Sequence, residues 1–190
     1  TWNQGTLESY LVEISAIVAK FVDRSTGRPL LHMIVDAAGQ KGTGRWTVIE
    51  AQHLASPVPA IEAAVAARNL SARRAERAEA EVIFGRGAAR IPGGEVTVDL
   101  LEKALIAGKI MCYAQGFAML AAASREFNWN LALPEVAKVW RAGCIIRSRM
   151  LNDMASALAV DSQRNLLLAP LFAALVKDTE GALREVATAA

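Results

Sequence analysis

The stretch Ile34-Val-Asp-Ala-Ala-Gly-Gln-Lys-Gly-Thr-Gly-Arg-Trp46 decides how this 190-residue chain is organised. An apolar run over residues 30–38 is predicted to form a short helix that leads into a polar turn, Lys41-Gly-Thr43. A second helix is predicted to start near Thr47. Glycine permits positive φ and close backbone approach, and the N-terminus of the following helix favours an anion. The turn therefore suits a phosphate group, although its spacing alone slightly favours a plain helix-to-helix turn with a solvated lysine.

Helical periodicity continues along the rest of the chain, and strand patterns of period two are almost absent. Five apolar residues indicate a first amphipathic helix: Leu7, Leu11, Ile14, Val18 and Phe21. The longest predicted helix runs from Val98 to about Glu126, with Thr97 as its cap and apolar residues on most sides, which marks a central buried helix. Its Gly108 and Gly116 are expected to allow close helix–helix approach. Together the patterns predict an all-α domain of about eight to ten helices.

Composition narrows the possible partners. The net charge is only +2, which argues against a nucleic-acid binder, because such proteins concentrate Lys and Arg on one face. We find neither an apolar run of about 18 residues that would span a membrane nor a secretory signal, so a cytoplasmic protein without a membrane partner is expected. Residues 85–94, rich in glycine, are predicted to form a surface loop within one domain.

The cysteines and histidines predict no metal site. Cys112 and Cys144 lie in apolar helical patterns and are predicted to be buried, reduced thiols. His32 and His53 have no cysteine or carboxylate at the spacing that metal ligands require.

Five segments resemble the family of decarboxylating 6-phosphogluconate dehydrogenases, in that family's order. They are residues 2–14, 34–46, 62–71, 109–117 and 140–148, and they span nearly the whole chain. The resemblance implies that residues 1–190 form the family's helical domain for substrate binding and dimerisation. It further implies 6-phosphogluconate as substrate, NADP as cofactor and a homodimer as the assembly.

The resemblance also assigns residues to the substrate. Lys41, Gly42 and Thr43 would hold its phosphate, and Arg68 would be the family's phosphate-binding arginine on the following helix. A phosphate dianion met by a lysine and a planar arginine fork is physically consistent with this role.

In the family, the general-base lysine, the general-acid glutamate and the dinucleotide-binding domain precede the segment with which this chain begins. The resemblance therefore implies no catalytic residue within these 190 residues. NADP would be bound mainly by an N-terminal domain that the chain lacks, and the chain alone would be inactive.

Two other interpretations are kept beside this one. The chain could be a non-catalytic helical dimerisation module, or a related 3-hydroxyacid dehydrogenase domain. The second is disfavoured by the Lys41-Gly-Thr43 turn, because those substrates carry no phosphate. A further set of residues is predicted to serve packing and helix-end hydrogen bonds: Trp140, Arg141, Cys144, Arg147 and Ser148.

Overall fold

The computed structural model describes residues 1–85 and 96–189, and within them the chain forms eight α-helices. The helices are α1 (Tyr10–Lys20), α2 (Thr43–His53), α3 (Pro59–Ala72), α4 (Arg74–Phe84), α5 (Val98–Glu126), α6 (Leu133–Val139), α7 (Met150–Val160) and α8 (Pro170–Ala189). Short 3-10 turns occur at Trp2–Gln4, Leu30–Met33 and Leu166–Leu168.

The described residues contain no β-strand, only isolated bridges at Ser9 with Ser148 and at Val22 with Pro29. The prediction of an all-α fold is therefore confirmed. The loop predicted over residues 85–94 lies, except for Gly85, outside the described residues.

Helix α5 is the centre of the domain, as its apolar pattern predicts. It packs along α8 and also against α3, α6 and the turn Leu166–Leu168. Buried side chains of α5 meet those of α6, α7 and α8 in one hydrophobic core: Ile106, Ile110 and Phe117 with Leu133, Met154, Leu158 and Phe172. The predicted cap is present, because Thr97 Oγ1 accepts a hydrogen bond of 3.1 Å from the backbone N–H of Leu100.

Two expectations about α5 are wrong. By length and composition α5 is apolar enough to cross a membrane, whereas the sequence analysis found no apolar run of the required length. A core helix of a folded domain meets the same criterion, and α5 packs on four neighbouring elements. Gly108 and Gly116 do not serve close packing within the chain, because a Cβ added at either would meet no atom within 4 Å.

These glycines lie instead on an exposed face of α5. At about 100° per residue they share a stripe with Leu101, Leu105 and Cys112. We call this set of five residues the open stripe. Leu105 is 44% exposed, and Cys112 is an exposed free thiol rather than the buried one expected.

The N-terminal segment also departs from the expected pattern. Helix α1 begins only at Tyr10, because Ser9 before it is extended and forms an isolated bridge with Ser148. In this bridge the N–H of Tyr10 donates to the Arg147 carbonyl (3.1 Å) and the N–H of Arg149 donates to the Glu8 carbonyl (2.9 Å). Leu7 is fully buried ahead of the helix, whereas Leu11 remains 54% exposed. The apolar residues between Leu7 and Phe21 therefore do not form one buried face.

Lys109 on α5 provides a test of burial. Its Nζ is buried without a hydrogen-bond partner among the described residues, and burial lowers its pKa from 10.5 to about 8. Because the folded pKa lies below the unfolded one, the unfolded state binds more protons between these two values, and stability rises with pH there. We expect the free energy of unfolding of the wild type, measured by urea denaturation, to rise relative to that of Lys109→Met between about pH 7.5 and 9.5.

The matched control is Lys103→Met. Lys103 lies on the same helix, and its ion pair with Asp99 (2.9 Å) raises its pKa, so it stays charged over this pH range. The difference in free energy of unfolding between Lys103→Met and the wild type should therefore be independent of pH. If the difference for Lys109→Met were also independent of pH, the burial of Lys109 would be contradicted.

Candidate functional site

The segment that precedes the polar turn is not the helix expected over residues 30–38. Only Leu30–Met33 forms a 3-10 turn, and residues 34–41 have no regular structure. Three backbone groups in this segment, the N–H of Ala38 and the carbonyls of Asp36 and Gly39, bond to side chains of other elements. The prediction of a helix rested on the apolar composition of this run. Two of its apolar residues, Ile34 and Val35, are in fact 57% and 62% exposed and do not form a buried helix face.

Helices α3 and α4 hold this segment by side-chain hydrogen bonds. Ser71 Oγ accepts from the N–H of Ala38 (3.0 Å). The Arg77 guanidinium donates to the Asp36 carbonyl (2.7 Å) and pairs with the Asp36 carboxylate (3.0 Å). Each bond joins residues more than 30 positions apart, so the position of the segment is set by tertiary contacts.

Hydrogen bonds of two further side chains, Arg68 and Gln40, hold the chain immediately before Lys41. The Arg68 guanidinium donates through Nε (3.1 Å) and through Nη2 to the carbonyl of Gly39. The side-chain amide of Gln40 donates to the Val65 carbonyl (3.3 Å) and contacts Asn69. Arg68 therefore lies beside the turn, with Gly39 only two residues before Lys41.

The turn itself enters α2 directly. Gly42 is the N-terminal cap residue with φ of +106°, in the region that favours glycine, and its carbonyl accepts from the N–H of Trp46 (2.9 Å). The helix therefore starts at Thr43, four residues earlier than expected. Lys41 and Thr43 are exposed. An exposed lysine, an exposed hydroxyl and a helix N-terminus with its free N–H groups occur in consecutive residues, which suits an anion.

A close contact between α2 and α3 fixes the direction of the turn. A Cβ at Gly44 would lie 3.0 Å from Val65 Cγ2, which is tighter than an ordinary van der Waals contact, so any larger residue would require Val65 or the helices to shift. The start of α3 is in turn attached to α5, because Gln115 Oε1 accepts from the N–H of Ala60 (3.0 Å). Sequence reasoning missed these supporting residues, because each contact joins distant parts of the chain and carries no local signal.

The family model of the 6-phosphogluconate dehydrogenase C-terminal domain matches residues 1–190. The chain belongs to this family.

Among relatives of the 6-phosphogluconate dehydrogenase family, an enzyme of Synechococcus elongatus named "6-phosphogluconate dehydrogenase, decarboxylating" is 45% identical over 97% of this chain. One of Bacillus subtilis, named as NADP(+)-dependent and decarboxylating, is 42% identical over 97% of it. The chain spans 40% of the length of each.

The fold is also similar to a solved structure. A chain of Plasmodium falciparum 6-phosphogluconate dehydrogenase matches with a TM-score of 0.91 and 38% identity, over 98% of this chain and 41% of that one. That protein is described in its apo form, with its cofactor NADP+ and with its substrate 6-phosphogluconate.

The contact between Gly44 and Val65 predicts a coupled pair. Gly44→Ala should lower the free energy of unfolding, measured by urea denaturation, by about 1–3 kcal/mol, because the added methyl group overlaps Val65. The loss should shrink by about 0.5 kcal/mol or more when Val65→Ala is also present.

Gly181→Ala is the matched control, because Gly181 lies inside α8 and its added Cβ would meet no atom within 4 Å. It should stabilise the chain by about 0.5–1 kcal/mol through helix propensity. Equal effects at Gly44 and Gly181 would show that the close α2–α3 contact is absent.

Proposed function

We propose that this chain is the helical part of a decarboxylating 6-phosphogluconate dehydrogenase and that it binds the phosphate end of 6-phosphogluconate. The observation that carries the proposal is the position of Arg68. Its guanidinium is held against the Gly39 carbonyl, beside exposed Lys41 and Thr43 at the N-terminus of α2.

The physical chemistry of these groups supports a phosphate ligand. A guanidinium carries five N–H donors, and only Nε and Nη2 of Arg68 are engaged by Gly39, so donors remain for an anion. Lys41 adds a flexible positive charge, Thr43 adds a hydroxyl donor, and Gly42 lets the backbone approach closely. Hydrogen bonds between charged partners are about twice as strong as neutral ones.

The names of the relatives support the reaction of the whole protein. That protein would oxidise 6-phosphogluconate with NADP and release ribulose 5-phosphate, CO2 and NADPH. The described residues contain no strand–turn–helix unit, so they do not fit a dinucleotide by the usual pattern. NADP would therefore be bound mainly by protein outside these 190 residues, which would also supply the catalytic groups. The whole protein would work in the cytoplasm.

A homodimer is part of the proposal. The open stripe of α5 combines exposed Leu101 (38%) and Leu105 (44%) with two glycines whose Cα atoms face empty space. A second copy of the chain could approach closely over such a surface and bury it.

Calorimetric titration with 6-phosphogluconate tests the phosphate site. Lys41→Gln should weaken binding about tenfold or more, because one charge-assisted contact is lost. Lys41 is exposed and forms no ion pair within the described part of the chain, so the fold should be unaffected.

Lys20→Gln removes the same charge from an exposed position at the end of α1 and should leave the affinity unchanged. Equal affinities for the Lys41 variant and the wild type would refute the phosphate role. A chain that dimerises without binding the ligand would instead be the non-catalytic dimerisation module.

Sedimentation equilibrium tests the dimer. Leu105→Glu should raise the dimer dissociation constant at least about tenfold, because it places a charge in the buried apolar interface. Val160→Glu, at a position 88% exposed on α7, is the control and should have no effect. Identical behaviour of the two variants would exclude the open stripe as the interface.

A further inference from the structure

Helix α4 carries one arginine whose surroundings differ from those of the rest of its charged surface. The helix contributes no buried residue, and Arg73 at its start pairs only locally with Glu76 (3.2 Å), the two side chains being 63% and 69% exposed. Arg77, by contrast, is only 31% exposed and binds acceptors outside α4. Arg77 therefore engages α4 with the chain that precedes the polar turn.

The guanidinium of Arg77 binds three acceptors with its two terminal nitrogens. Nη2 donates to the Asp36 carbonyl (2.7 Å) and to the Ser71 carbonyl (3.2 Å), and Nη1 pairs with the Asp36 carboxylate (3.0 Å). That carboxylate is 79% exposed, and exposed ion pairs contribute little to stability. The two carbonyls are therefore the contacts that matter. The guanidinium presents its donors in a fixed planar geometry, which a lysine side chain does not reproduce.

These contacts join the two parts of the chain that carry the proposed phosphate ligands. Asp36 lies five positions before Lys41, in the segment without regular structure. Ser71 lies in the last turn of α3, the helix that carries Arg68. One guanidinium on α4 therefore connects the Lys41 segment to the Arg68 helix.

The segment before the polar turn is held by few other means. Residues 34–41 form no helix, and Ile34 and Val35 are largely exposed, so hydrophobic burial does not fix them. The segment is tied instead by side-chain hydrogen bonds such as that from the N–H of Ala38 to Ser71 Oγ (3.0 Å). A ligand that binds an ordered segment loses less conformational entropy than one that must order it. The affinity for a phosphate should therefore depend on the residues that order this segment.

We propose that Arg77 is a positioning residue for phosphate binding. It holds the segment before Lys41 against the helix that carries Arg68, so that both cationic groups are in place before the phosphate binds. Arg77 acts through the backbone and not on the ligand, because its terminal nitrogens are engaged by protein acceptors. Its role rests on the proposed phosphate site of Lys41, Thr43 and Arg68.

Amide hydrogen exchange of the ligand-free chain, followed by NMR, tests the positioning directly. Arg77→Met should speed the exchange of the Ala38 N–H at least about fivefold, because the segment around its hydrogen bond to Ser71 is released. The amide of buried Ile110 in α5 should keep its wild-type rate, since α4 contributes no buried residue to the core. Unchanged exchange at Ala38 would overturn the proposal.

Calorimetric titration with 6-phosphogluconate measures the consequence for binding. Arg77→Met should weaken binding about fivefold to tenfold. Arg77→Lys should weaken it to a similar extent, because lysine keeps the charge but loses the planar geometry that holds the two carbonyls. Recovery of wild-type affinity in Arg77→Lys would show that only the charge matters, and it would overturn the positioning role.

Arg74→Met is the matched control for the charge. Arg74 is exposed on the same helix and has no ion pair in the described part of the chain. Its removal should leave the affinity within about twofold of the wild type. Equal affinities of the Arg77→Met and Arg74→Met variants would refute the role of Arg77.

A double-mutant cycle with Lys41 separates positioning from an independent effect. Because Arg77 acts by placing Lys41, Arg77→Met should weaken binding by less than about threefold once Lys41→Gln is present. Equal losses with and without Lys41→Gln would overturn the proposal. If the wild type does not bind, or if Lys41→Gln binds equally well, the phosphate site itself is refuted and the role of Arg77 falls with it. If Lys41→Gln weakens binding and Arg77→Met does not, only the role of Arg77 is refuted.

Discussion

Burial of α5 is the constraint on which the rest of the domain depends. With 29 residues the helix is about 44 Å long, and it touches elements from both halves of the chain. Ile106, Ile110 and Phe117 form the core with the later helices, while Gln115 on another face holds the start of α3. Helix α5 therefore connects the later helices to α3, which packs against α2 at the polar turn.

The polar turn is built by hydrogen bonds more than by hydrophobic burial. Its leading segment exposes apolar side chains and satisfies its backbone through Ser71, Arg77 and Arg68. Such an arrangement places a glycine-rich chain next to an arginine without enclosing it, so a charged ligand can still reach Lys41 from solvent. Arg68 braces the turn through the Gly39 carbonyl, and in the proposed site its remaining donors would bind the phosphate.

A second arginine, Arg147, also joins distant parts of the chain. Arg147 joins the N-terminal segment to the start of α7 through its pair with Glu13, and its guanidinium lies 5.6 Å from the centre of the Tyr10 ring. Next to this brace, Arg141 and Arg149 have no acidic partner in the described residues. In both places an arginine side chain joins parts of the chain that are far apart in sequence.

The sequence by itself determined the all-α class, the extent of α5 with its Thr97 cap, and the family, because helical periodicity and the signature around Lys41-Gly-Thr43 are local properties of the chain. Its local pattern suggested an anion at the turn Lys41-Gly-Thr43, whereas it pointed to Arg68 only through resemblance. The tertiary structure alone decided that residues 34–41 are not helical, that Arg68 meets Gly39, and that the glycines of α5 face open space. Each of these features depends on contacts between residues far apart in sequence. The free energies of such contacts outweigh local propensity, and the contacts produce no periodic pattern in the sequence.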